Sequence, residues 1–203
     1  MPSNADPPAF LPLPQLDVLT AALARRGYCC LVAQVENGAL ALRELEAGAP
    51  VPRGLQTVQS AGQVRLTRDP LNRYFAWANT PQAVKPLNFA PRESLWRAER
   101  DATGVLGFAP VQPDAPRFAV IGARACDLAA LALQDAHFQP PGRIDAHYAA
   151  RRAGLFLVAV QCAVPAETCF CVSTGDGPTP AAGYDIALIE LPEGFVATAD
   201  SEA

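Results

Sequence analysis

Two stretches of this sequence carry no ionisable or amide side chain at all, Phe-Ala-Val-Ile-Gly at 118–122 and Leu-Phe-Leu-Val-Ala-Val at 155–160. A strand that is apolar on both of its faces must be covered on both, which is the condition of a parallel strand inside an α/β sheet. Between them, residues 126–137 are rich in good helix formers, with Leu128, Leu131 and Ala132 forming an apolar stripe. Asp127 falls in the first turn, where the helix dipole favours a carboxylate. Pro140-Pro141-Gly142 then breaks the chain. Strand, helix and strand of these lengths predict a βαβ unit with a right-handed crossover. Two further strands are expected at 184–191 and 195–198, joined through Pro192-Glu193-Gly194. The fold class is therefore α/β, with a mixed sheet built round the βαβ unit.

The chain before residue 117 has a different texture. Residues 15–26 read as a helix with Leu16, Leu19 and Leu23 on one face, joined by Val18 and Ala22, and Gly27 is suited to its left-handed cap. A strand at 28–35 and its return at 39–45 flank Asn37-Gly38, a strong hairpin signal. Short strands are expected at 63–67 and 74–78, on either side of the Asp69-Pro70-Leu71-Asn72 turn. Irregular chain is expected at 81–91, a short helix at 92–100 and a loop at 104–116. The organisation predicted is a flexible N-terminus (1–14), a smaller hairpin-rich α+β part (15–116) and the βαβ-containing part (117–203). Twenty prolines and 14 glycines exclude a helical bundle.

The 16 basic and 20 acidic residues give a formal net charge of −4, and this provides no electrostatic reason to expect a nucleic-acid or anionic-membrane partner. No apolar stretch has the length of a signal peptide or of a membrane span. A cytoplasmic location is thus expected, with no membrane insertion. In that reducing compartment, six cysteines are better read as metal ligands, redox groups or buried small residues than as a disulfide framework.

Cys29 and Cys30 alternate across a strand and read as structural. The other four are differently situated. Cys126 follows the first apolar strand after a short loop, and Cys162 follows the second after one residue. In a parallel arrangement both occupy the carboxyl edge, where α/β folds build their sites. Cys169 and Cys171 lie in the loop that follows. Four thiols converging on one edge suit a [4Fe–4S] cluster or a structural zinc ion. The single residue between Cys169 and Cys171 is tighter than the two-residue spacing of zinc knuckles, which favours iron–sulfur. Gly175 and Gly177 would let backbone N–H groups approach the sulfurs, and Arg124, Asp127 and Phe170 complete the expected surroundings. Arg151 and Arg152 face a partner or an anionic cluster, or form a solvated helix end. The competing readings are four buried structural cysteines and a cysteine nucleophile. The nucleophile would require His137 or His147 beside it, and His137 is at the far end of the helix that Cys126 opens. No nucleophile elbow, P-loop or complete dinucleotide-binding fingerprint occurs.

Several blocks together resemble a known family. They are Gly122-Ala-Arg-Ala-Cys-Asp-Leu-Ala-Ala-Leu, Asp145-Ala-His-Tyr-Ala-Ala-Arg-Arg, Gln161-Cys, and Cys169-Phe-Cys-Val-Ser-Thr-Gly-Asp-Gly-Pro, with Gly62-Gln-Val-Arg-Leu and 81–96 upstream. The sequence is similar to the beta subunit of cytosolic sulfhydrogenases and the A subunit of anaerobic sulfite reductase, among the 4Fe–4S dicluster domain proteins. The resemblance implies that Cys126, Cys162, Cys169 and Cys171 bind one [4Fe–4S] cluster. It implies an electron conduit rather than a catalyst, passing electrons between a flavoprotein subunit that handles NAD(P)H and a catalytic hydrogenase or sulfite reductase subunit. Ala123 and Ala125 replace the family's valine and proline. Family members also continue into a ferredoxin-like domain that this sequence lacks, so a fragment or an N-terminal module acting alone is expected. The alternative function is a non-redox structural or assembly module, its four-cysteine site empty or holding zinc.

Overall fold

The apolar runs at 118–122 and 155–160 become the centre of one seven-stranded mixed sheet in the computed structural model, which describes residues 7–78 and 84–200. The elements in chain order are β1 (Ala9–Pro12), α1 (Leu16–Arg25), β2 (Cys29–Glu36), β3 (Ala39–Glu44), β4 (Leu55–Ser60), β5 (Gln63–Arg68), α2 (Lys85–Asn88), β6 (Trp96–Arg100) and β7 (Leu106–Pro110). They continue as β8 (Phe118–Ala123), α3 (Ala125–Phe138), α4 (Ala146–Ala153), β9 (Leu155–Val160), α5 (Cys171–Thr174), β10 (Ile186–Glu190) and β11 (Gly194–Ala199). The strand order is β1-β11-β10-β9-β8-β2-β3. β2, β8, β9 and β10 pair in parallel, and the outer pairs β1–β11, β10–β11 and β2–β3 are antiparallel.

Alternation along the central strands sorts two cores. Ala119 and Ile121 of β8, with Phe156, Val158 and Val160 of β9, face Leu16 and Leu23 of α1, Phe75, Trp77, Leu188 and Phe195. Val120 and Ala123, with Leu155, Leu157 and Ala159, face Leu128 and Leu131 of α3 on the opposite side. This is the two-sided burial that the polar-free strands require.

The β2–β3 turn takes left-handed backbone at both central residues, Asn37 (φ 50°) and Gly38 (φ 79°), as a two-residue hairpin turn demands. Gly27 caps α1 at φ 84°.

Several expectations change. Residues 9–12, expected in a flexible N-terminus, are strand β1, since backbone pairing with β11 gives them a place; residues 1–6 lie outside the described set, as do 79–83, part of the stretch expected to be irregular. The partner of β5 is β4, not 74–78, because the Gly62 turn makes a local hairpin. Residues 74–78 are instead a buried irregular segment, drawn into the core by Tyr74, Phe75 and Trp77. The helix expected at 92–100 and the loop at 104–116 become β6 and β7, a hairpin none of whose residues is buried. Helix α4, to whose residues no element is assigned from the sequence, starts at the Asp145 cap, whose Oδ1 accepts from the backbone N–H of His147 (3.0 Å) and Tyr148 (2.9 Å). The change of texture at residue 117 falls inside the sheet, where β2 pairs with β8.

Candidate functional site

Parallel pairing of β8 with β9 brings their carboxyl ends to one edge. Beyond β8, Arg124 has extended backbone (φ −97°, ψ 160°) and caps α3, so Cys126 stands in that helix's first turn. The Asp127 carboxylate accepts from the Arg124 backbone N–H at 2.8 Å, fixing the strand-to-helix corner. Beyond β9, the Cys162 N–H donates to Pro178 O (3.1 Å), which ties the start of the following loop to its end. Within that loop, Ala166 N–H donates to Cys169 Sγ (3.3 Å) and Cys169 N–H donates to Ala166 O (3.0 Å). Cys171 opens the single turn α5, and Asp176 N–H donates back to its carbonyl (2.9 Å).

Gly177 shows how closely these pieces meet. A β-carbon there would stand 3.1 Å from Cys171 Sγ and 3.3 Å from the Ala125 β-carbon, so the Cys171 sulfur lies against bare backbone beside the start of α3. Gly175 serves a different purpose, ending α5 in the left-handed region at φ 77°. Cys126 and Cys169 are exposed, Cys162 and Cys171 are half-buried, and Phe170 between the last pair is exposed.

The thiols feel one another. Protein packed against Cys126 pushes its thiol up to about 11, helped by the charges of Asp127, Cys171 and Cys162. Cys162 is also raised, chiefly by burial, with Cys169 and Cys171 adding to the shift and Arg124 opposing it. At neutral pH these cysteines are protonated thiols wherever the shift is upward, so a metal must displace those protons on binding. Among the described residues, no group of three or more His, Cys, Asp or Glu side chains is arranged to hold a metal ion. The four thiols have the soft-donor chemistry that an iron–sulfur cluster takes, with the bare backbone of Gly177 against Cys171 and a buried cation on the segment leading into Cys126.

That cation is Arg124, only 3 % exposed. Its guanidinium donates to the carbonyls of Phe75 (2.9 Å), Trp77 and Gln161 (3.4 Å), and stacks 4.9 Å from the Trp77 ring centre. Its Nε has no hydrogen-bond partner. Burial pulls its affinity for the proton down, while the charges of Cys162, Asp127, Cys126 and Glu190 oppose that shift.

Glu190, at the end of β10, accepts the backbone N–H of Tyr74 (2.7 Å) and Phe75 (3.0 Å). Burial raises its carboxyl above the ordinary range despite those bonds. Segment 74–77 is thus gripped by Glu190 through its amides and by Arg124 through its carbonyls. Sequence reasoning misses this support; its one signal is a carboxylate closing the otherwise apolar run 186–190.

The two arginines offered as partner-facing differ in exposure, Arg151 being buried and Arg152 half-buried. Arg151 is buried, bonded to Glu93 and to Asp114 O (3.0 Å), and Arg152 pairs with Asp135 at 3.1 Å. Both have ion partners because the segments packed against α4 carry the matching carboxylates. His147 contacts Glu93 (2.5 Å) and His137 meets Phe138 edge-on, with no thiol among these partners. Cys30 donates to Thr20 O (3.4 Å) in the core. Cys29 lines a recess of about 170 Å³ with Thr20 and Glu44, its thiol pushed up to about 11 by burial and then by Glu44.

Comparison of the chain with protein-family models, with curated proteins and with solved structures gave no match to any of them. Among the described residues, no helix is long and apolar enough to cross a membrane.

Proposed function

We propose that this chain is an electron-transfer module of a multisubunit cytoplasmic oxidoreductase, with one [4Fe–4S] cluster held by Cys126, Cys162, Cys169 and Cys171. What supports the reading is the placement of Cys126 and Cys162 just beyond two adjacent parallel strands, with the buried Arg124 guanidinium bonded to the residue before Cys162. Two thiols come from the ends of adjacent strands and two from a loop closed by the Cys162–Pro178 hydrogen bond. A bound cluster would supply one-electron redox chemistry. This chain's own residues hold the ligands, supply the compensating charge and keep the inner side of the site dry. The resemblance in the motif blocks extends the proposal to partners: a flavoprotein subunit on one side and a hydrogenase or sulfite reductase subunit on the other.

Anaerobic purification and reconstitution, followed by iron and sulfide analysis, test it. About four irons and four sulfides per chain, with a reducible visible chromophore, are expected. Colourless protein with neither element after reconstitution refutes the reading. One equivalent of zinc held by the same cysteines would replace it with the structural alternative.

A further inference from the structure

Arg124 performs more than a cap's duties. A guanidinium is charged at every accessible pH, and this one is closed off from solvent on the segment that leads into Cys126. It is two residues from Cys126, and through Gln161 O it touches the residue preceding Cys162. Its N–H donors are unevenly used: the terminal nitrogens reach three carbonyls, while Nε–H is left without a partner in a place closed to water. Carbonyls solvate a cation but do not neutralise it. A buried charge persists only where opposite charge compensates it. The carboxylates of Asp127 and Glu190 supply part of this, and Asp127 is already engaged with the Arg124 backbone.

We infer that Arg124 is the fixed counter-cation of the four-thiolate centre and sets its reduction potential by stabilising the more negative, reduced state. The inference rests on the reading of the four thiols as cluster ligands, and it assigns Arg124 a positioning and charge-setting role, not a ligand's. The sign follows from Coulomb's law: each electron added to an anionic centre is favoured by a nearby cation, the more so in a medium from which water is excluded. Withdrawing the cation therefore lowers the potential.

The test uses the reconstituted whole chain in three forms: wild type, Arg124→Gln and Arg124→Lys. Iron and sulfide content is measured first, then the midpoint potential by dithionite titration followed by electron paramagnetic resonance. Arg124→Gln is expected to weaken the preference for the reduced state at least tenfold, which at one electron is a fall of about 59 mV. Arg124→Lys keeps the charge and loses the planar fork, so its potential stays near wild type although its thermal stability falls. An equal drop in both variants overturns the inference, since the fork and not the charge would then be responsible. An unchanged potential in Arg124→Gln overturns it as well. Should the glutamine variant fail to fold, Arg124→Met takes its place as the charge-free form: the same fall in potential supports the inference, and an unchanged potential refutes it. Wild type without iron and sulfide sinks the cluster reading and the inference together, whereas a loaded wild type with insensitive variants sinks the inference only.

Discussion

Replacing Gly122 with alanine should strongly destabilise this protein. Gly122 lies at the irregularity between Ile121 and Ala123 where β8 loses register with β9, and its backbone is left-handed at φ 100°. A β-carbon there would stand 2.8 Å from Trp77 Cη2 and 3.1 Å from both Trp77 Cζ2 and Phe75 Cε1. These are buried core rings, Phe75 packing on both Trp77 and Phe195, not flexible side-chain ends. Left-handed backbone at a residue with a side chain costs about 1–2 kcal/mol, and over-packing a filled core costs about 1–3 kcal/mol. The sum, about 2–5 kcal/mol, is a large share of the roughly 5–15 kcal/mol that holds a domain folded. With a urea m-value of about 2 kcal/mol/M, the midpoint should fall by about 1–2.5 M. Urea titration followed by Trp fluorescence measures it, with far-ultraviolet circular dichroism as a second probe. A double-mutant cycle with Trp77→Phe isolates the ring contact, and coupling of about 1 kcal/mol or more is expected. A midpoint within about 0.3 M of wild type would refute both the strain and the clash. Because Trp77 presents its carbonyl and its ring to Arg124, the variant should also impair cluster loading.

Three further changes probe other parts of the molecule. Cys126→Ser or Cys162→Ser should abolish stable cluster loading, read as loss of iron and sulfide, while Cys30→Ser should leave loading intact; retention of a full cluster by Cys126→Ser would remove that residue from the ligand set. Glu93→Gln removes the ion partner of the buried Arg151; because Glu93 itself lies at the surface, where solvent screens the pair, a loss of about 1–2 kcal/mol in thermal or urea unfolding is expected; an unchanged midpoint would mean the pair is structurally idle. Hydrogen bonding from Arg151, then from His147, holds the Glu93 carboxyl below its ordinary range. The folded pKa is thus depressed, so its contribution is complete above the unfolded value of about 4.3 and is lost as pH falls through the folded value; acid titration of wild type and Glu93→Gln should converge there, and parallel curves would contradict the assignment. Gly194→Ala would set a β-carbon 2.7 Å from Phe10 Cζ, so β1 should lift from β11, read as faster amide exchange at residues 9–12 with the parallel strands unaffected.

How much of the fold is legible in the sequence depends on the range of the forces involved. β8, β9 and α3 are readable because their burial on both faces, or on one helical stripe, leaves a pattern in the residues themselves. The β2–β3 hairpin is readable because Asn37-Gly38 settles its turn locally. Helix α4 is hidden, its paired arginines being spent on Glu93 and Asp135, residues remote in sequence. The β6–β7 hairpin is hidden because it buries nothing and so has no apolar period to read. Segment 74–77 has the composition of a strand, yet it packs as irregular chain because Glu190 and Arg124 take up the backbone groups that a sheet would use.

For the site, the residues alone determine which thiols stand after which strand, since a parallel sheet sends every carboxyl end to one edge. They also carry the two-sided apolar strands that make the sheet parallel. Only the tertiary structure decides what lies beneath those thiols. The cation there is buried by aromatic rings of a segment 47 to 49 residues earlier in the chain and is anchored by that segment's carbonyls. No local pattern records such a contact, because backbone carbonyls are the same in every residue and their direction is a property of the folded chain.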